Sequence, residues 1–135
     1  MKELTLKATV ENIPKMTGFI DAELEANECS MKAQMQIDVA IDELFSNIAY
    51  YAYGDETGDA TLRFDFDPST RMASIAFVDG GAPFNPLERD EPDVSLPPEE
   101  RGIGGLGIFL VRRTMDLVEY RREDGKNILT IHKRI

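Results

Sequence analysis

The sequence predicts an α+β domain, a two-layer α/β sandwich whose mostly antiparallel mixed sheet is covered on one face by helices. Three observations carry that expectation. The first ten residues alternate apolar and polar, with Leu4, Leu6, Ala8 and Val10 on one side, as in a strand with one buried face. Two helical segments follow, and two pairs of β-like runs come after them, one in the middle of the chain and one at its end.

Asn12 is positioned to cap the first helix, with Pro14 in its opening turn and Met16, Phe19, Ile20 and Leu24 on its inner side, because a short polar side chain satisfies free amides there and proline needs no amide partner. That helix stops around Glu28. Ser30 is the second cap candidate, and residues 31 to about 53 have the length and periodicity of a long helix. Residues 54–58 supply turn chemistry, and the runs 60–67 and 71–79 read as a hairpin joined at Pro68 and Ser69. Residues 80–105 then hold five prolines among mostly acidic residues, with little periodicity, so residues of about 85–104 are expected to form a lid or a disordered segment. Helical spacing returns over 106–115. The runs 116–123 and 127–133 form a second hairpin around Asp124 and Gly125, since Asp-Gly is a strong signal for a tight turn.

At 135 residues the chain has the length of one domain, 1–135, able to bury its own core. No run approaches the ~20 apolar residues of a bilayer span, and the N-terminus carries no signal-like stretch, so a cytoplasmic protein is expected, with no membrane partner. The net charge of −10 repels a polyphosphate backbone, which disfavours nucleic acid. A small nucleotide stays open, because local amides and a metal override net charge. Cys29 has no second cysteine to pair with, and with His132 alone it falls short of a zinc ligand set.

Three segments carry candidate chemistry. On the long helix, Ile37, Ile41, Leu44, Ile48 and Ala52 make one apolar stripe. Glu43 and Asn47 share a different edge, within roughly 40° of one another at about 100° per residue; solvated neighbours have the same spacing. The run from Ser74 ends in Asp79-Gly80-Gly81, where a carboxylate can accept a hydrogen bond from an exocyclic amino group such as that of adenine and would repel the O6 of guanine. Gly81, lacking a Cβ, would let the backbone approach a flat base; an ordinary turn reads the same way. The third segment, Gly102-Ile103-Gly104-Gly105-Leu106-Gly107, runs into a helix. Glycines there cost helix stability while exposing amides to phosphate oxygens.

In order, Glu43-Leu44-Phe45-Ser46-Asn47 resembles the N box, Asp79-Gly80-Gly81-Ala82-Pro83-Phe84 the first glycine box and Gly105-Leu106-Gly107-Ile108 the second, of the histidine-kinase-like ATPases with the Bergerat fold. The short chain and the Pro-Phe after the first glycine box are similar to the anti-sigma-factor serine kinases of bacteria. The resemblance covers nearly the whole chain. It implies that Asn47 supplies an oxygen to Mg2+, that Glu43 is a general base, and that Asp79 holds the adenine of ATP with Gly81 beneath the ring. It further implies that Gly104, Gly105, Leu106 and Gly107 cradle the phosphates below the lid, with Arg101 near the terminal phosphate. Ile108 stands where leucine is more usual, and Asn85 where an acidic residue often follows Pro-Phe.

The function implied is transfer of the ATP γ-phosphate to a Ser or Thr of a small anti-anti-sigma protein of the STAS type, with sequestration of a sigma factor as a companion activity and a homodimer as the assembly. A rival is a non-catalytic switch in which ATP only orders the lid and changes partner affinity. Glu43 favours catalysis, because a pure binding module has no need of a carboxylate beside a metal ligand; at ordinary pKa it would be ionised at neutral pH. A detached histidine-kinase domain is disfavoured, since the one histidine, His132, falls in the last strand-like run.

Overall fold

The computed structural model describes residues 1–88 and 105–135. In chain order the elements are β1 (Lys2–Lys7), α1 (Ile13–Ala26), α2 (Met31–Asn47), a π-helical turn (Ile48–Ala52), β2 (Asp59–Asp67), β3 (Met72–Asp79), α3 (Gly105–Thr114), β4 (Leu117–Glu123) and β5 (Lys126–Arg134). The five strands form one sheet in the order β1-β2-β3-β5-β4, and every neighbouring pair is antiparallel.

Local chemistry accounts for most of these boundaries. Ser30 caps α2, its hydroxyl accepting from the Ala33 amide at 3.2 Å. Asn12 precedes α1 but does not cap it with its side chain. A short 3-10 turn, Val10–Asn12, leads straight into the helix, and the Asn12 amide instead donates back to the Lys7 carbonyl at 2.9 Å. The β4–β5 turn places Asp124 and Gly125 at φ of 52° and 74°, the pair of left-handed residues that a two-residue hairpin with matching twist requires.

Alternation along the strands gives the sheet two unlike faces. Leu62, Phe77 and Leu129 lie side by side in register on β2, β3 and β5, all buried, and Phe64, Ile75 and Ile131 form the next row. Met16, Ile20 and Leu24 of α1, Ile37, Ile41, Leu44 and Phe45 of α2, and Ile108 and Val111 of α3 close over that face. Burying a phenylalanine such as Phe45 or Phe77 contributes about 1.5–3 kcal/mol, so this layer is what holds the fold. The opposite face is polar: Thr5 bonds Thr61 at 2.7 Å, and the His132 ring bridges Ser74 and Glu119 at 2.7 Å on each side. No described helix is long and apolar enough to cross a membrane.

α2 packs against both α1 and α3. Between α1 and α2, Asp21 Oδ1 and Asp38 Oδ1 are shut off from solvent, with no donor reaching them among the described residues, and the hydrogen bond between the two carboxyls needs a shared proton. Burial, then Asp21 and Glu25, push the Asp38 carboxyl up to about 7 from an ordinary 3.8. The folded state therefore holds this proton more tightly than the unfolded chain. Stability from it is complete below pH 3.8 and falls as pH rises toward 7. Asp38→Asn is expected to raise the melting temperature at pH 8 relative to the parent, with the gain shrinking toward pH 4.5; parallel thermal melts at the two pH values check this.

Candidate functional site

The site gathers where α2 ends and where β3 and β5 reach the same edge of the sheet. Glu43 and Asn47 occupy the last turn and a half of α2. The helix then widens into the π turn Ile48–Ala52, a distortion that commonly accompanies function because it re-aims the chain. Here it presents the Ala52 carbonyl to the loop after β3. The Ala82 amide donates to that carbonyl at 2.9 Å, and a Cβ on Gly81 would lie 2.1 Å from the same oxygen. Gly81 is glycine because two backbones touch at this point. The space its missing side chain leaves faces Ala52.

Tyr53 anchors the same loop. Its hydroxyl donates to the Asp59 carbonyl at 2.5 Å and accepts from the Gly80 amide at 2.8 Å. The ring lies where a Cβ on Gly58 would be, at 2.2 Å.

Asp79, 6% exposed, ends β3 directly opposite Asn127, 5% exposed, at the start of β5. Asp79 Oδ1 accepts from the Gly81 amide and from Asn127 Nδ2, each at 2.9 Å. Asn127 Nδ2 also donates to the Ala82 carbonyl at 2.8 Å. Its Oδ1 accepts from the Phe84 amide, the Tyr120 hydroxyl and Arg122 Nη1, and Arg122 donates to the Gly81 carbonyl at 2.8 Å. A buried carboxylate is costly unless its oxygens are met by donors, and this network provides them for Oδ1.

A cavity opens over these groups. Leu44, Ile48, Ala52, Phe77 and Leu129 give it apolar walls, Phe84 and Pro86 flank it, and Asn47, Asp79, Tyr120 and Asn127 bring polar groups to it. Asn85 shapes one side: its side chain accepts from the Leu87 amide at 2.9 Å and its carbonyl from Glu88, which starts the short turn Pro86–Glu88. The combination of apolar walls and a few convergent polar groups is that of a small-molecule site.

Glu43 lies beside it, beneath α3. A Cβ on Gly107 would fall 2.0 Å from the Glu43 carboxyl carbon, so the carboxyl occupies the space this glycine leaves open. Burial and then the Asp42 charge push Glu43 above its ordinary 4.5, while a hydrogen bond from Asn47 pulls it down. The expectation of an ordinary carboxylate there is thus corrected. A carboxylate only accepts, so Asn47 turns its NH2 toward Glu43, and its carbonyl oxygen is the atom left to offer a cation.

Of the residues singled out from sequence, Asn47 and Asp79 line the cavity, Glu43 adjoins Asn47 and Gly107, and Gly81 lies behind Asp79. Gly105 and Leu106 open α3. Arg101, Gly104 and most of the expected lid lie outside the described residues. Tyr53, Tyr120, Arg122 and Asn127 went unread. Asn127 had one available signal, an amide side chain inside an otherwise β-like run, but its meaning depends on its pairing with Asp79.

A family model for the histidine kinase-like ATPase domain matches residues 6–133, and the chain belongs to that family. Among curated proteins it is similar to the serine/threonine-protein kinase BtrW of Bordetella bronchiseptica, 26% identical over 76% of this chain and 71% of that one. It is also similar to the serine-protein kinase RsbW of Bacillus cereus, 24% identical over 92% of this chain and 72% of that one. The three segments noted in the sequence lie inside the matched span.

The glycines give a paired prediction. Gly81→Ala drives a Cβ into backbone and should cost about 1–3 kcal/mol, seen as a melting temperature several degrees lower. Gly18→Ala, in α1 with nothing within 4 Å of the added Cβ, should raise it, because alanine is favoured over glycine in helices by about 1 kcal/mol.

Proposed function

We propose that the cavity binds ATP with Mg2+ and that the protein is a serine/threonine protein kinase. It would transfer the γ-phosphate to a hydroxyl on a small anti-anti-sigma protein of the STAS type. The observation that carries this reading is the convergence of Asp79 and Asn47 on one largely apolar cavity, with Glu43 beside Asn47 and α3 beginning over Glu43. The family match supports ATP as the nucleotide, and the kinases named above support transfer to protein. The partner class, a companion hold on a sigma factor, a homodimer and a cytoplasmic setting rest on the resemblance of the sequence motifs.

In this reading the apolar walls take the base and Asp79 accepts from its exocyclic amino group. The amides of Gly105, Leu106 and Gly107 at the α3 N-terminus meet phosphate oxygens, where the helix dipole favours negative charge. Arg101 and Gly104 enter only through the sequence. The donor set fits Mg2+, which takes oxygen ligands, needs few from protein when phosphates supply others, and finds the Asn47 carbonyl oxygen turned away from Glu43. Bound there, Mg2+ would neutralise charge on the phosphates.

Glu43 supplies the base. The substrate hydroxyl gives its proton to the Glu43 carboxylate as its oxygen bonds the γ-phosphorus, and the bond from that phosphorus to the β–γ bridging oxygen breaks to release ADP. A base must be ionised, so the raised pKa places the loss of activity on acidification above the ordinary value of 4.5.

Three measurements test this. Calorimetry with MgATP should give saturable heat that Asp79→Asn weakens at least tenfold; no heat from the parent protein rejects the assignment. Glu43→Gln should bind MgATP within about threefold of the parent while transfer of labelled γ-phosphate to a STAS-type protein falls about 100-fold or more, the usual scale for losing a general base. Equal transfer by the two proteins removes Glu43 from catalysis, and transfer by neither, with tight binding by both, favours the nucleotide-dependent switch. The acid limb of the parent's rate profile should also sit above pH 4.5.

A further inference from the structure

Asn127 lies at the centre of the site's polar network, and its orientation is forced. Two acceptors, Asp79 Oδ1 and the Ala82 carbonyl, face its NH2. Three donors, the Phe84 amide, the Tyr120 hydroxyl and Arg122, face its oxygen. Turning the carboxamide over would set like against like at four of the five contacts, all but the Tyr120 hydroxyl, which can also accept, so the NH2 stays on Asp79.

That constraint passes to Asp79. With Oδ1 held by both Asn127 and the Gly81 amide, the carboxylate cannot rotate without breaking two buried hydrogen bonds. Oδ2 takes no hydrogen bond among the described residues, and Asp79 lines the cavity. We infer that Asn127 is a specificity-determining positioning residue: by fixing Asp79 it presents an acceptor-only edge to the ligand, so that a purine with an amino group at position 6 is taken and one with a carbonyl there is refused. The inference rests on the reading of this cavity as an adenine-nucleotide site and adds a residue that acts on the base through Asp79.

Asn127→Asp separates the two halves of this role. It keeps the shape and the oxygen that accepts from Phe84, Tyr120 and Arg122, but replaces the donor to Asp79 by a second carboxyl oxygen. Two carboxyls in contact either share a proton or turn apart, and in both cases Asp79 is no longer held as an ionised acceptor in its parent position. Asn127→Ser, too short to hold Asp79, frees the carboxylate to rotate, so the acceptor is no longer fixed toward position 6 of the base, and decides the matter if the aspartate variant does not fold.

The test is calorimetric titration of parent and variants with MgATP and with MgITP, whose base carries a carbonyl at position 6, together with thermal melts. The parent should prefer MgATP. The ratio of the two affinities should fall at least tenfold in a folded variant, through weaker ATP binding and unchanged or stronger ITP binding. A variant that loses both nucleotides by the same factor, or keeps the parent's ratio, overturns the inference and leaves Asn127 a merely structural residue. A parent that binds neither nucleotide overturns the underlying adenine reading, and that result is seen before any variant is compared.

Discussion

The candidate site depends on one buried pairing, the Asp79 carboxylate against the Asn127 carboxamide at one end of the sheet. The adjoining helix-facing rows of β3 and β5 are apolar, Phe77 beside Leu129 and Ile75 beside Ile131. A charged side chain added to such a surface is destabilising unless donors are built around it. The antiparallel register supplies one by setting Asp79 opposite Asn127, and the chain's next turn supplies another through the Gly81 amide. Ala82, Phe84, Tyr120 and Arg122 are drawn into the same network. One wall of the cavity is thereby ordered by the bonds that make its carboxylate tolerable.

The opposite wall depends on close approach rather than on hydrogen bonding. α2 and the π turn after it reach their neighbours at two points where a Cβ has no room, Gly81 against the Ala52 carbonyl and Gly107 against Glu43. The π turn between Asn47 and Tyr53 makes the first approach possible by turning Ala52 toward the loop. The second covers Glu43 with a helix and raises its pKa through burial. The same contact thus links packing to chemistry: the glycine that lets α3 sit down leaves the space taken by a carboxyl whose burial raises its pKa. A similar cost appears without evident chemical return at Asp21 and Asp38, where two carboxyls meet between α1 and α2.

Periodicity and turn chemistry made the layers legible in the sequence. The alternation of Leu4 and Leu6, the stripe from Ile37 to Ala52, the Ser30 cap and the Asp124-Gly125 turn are each local signals whose structural outcome follows from a few neighbouring residues. The candidate site was legible as three segments, and the fold brings Glu43, Asn47, Asp79 and Gly107 into one neighbourhood. Where local reading failed, the missing information was long-range. Asn12 looks like a cap until β1 offers its Lys7 carbonyl. The close approach of Gly81 to Ala52 has no mark in its own turn, because Ala52 lies on a distant element. Asn127 carries no local mark, because its partner lies 48 residues away. Glu43 looked ordinary because burial beneath a distant helix is invisible in its own turn.

The most direct test of a nucleotide site at this end of the sheet is a map of backbone amide resonances titrated with MgATP. A nucleotide bound in this cavity would give the largest shifts at Asn47, Gly81, Phe84 and Asn127, with Ser69 and Thr70, in the turn at the far end of β3, unmoved. Largest shifts at that far turn, or no shifts at saturating nucleotide, would contradict it.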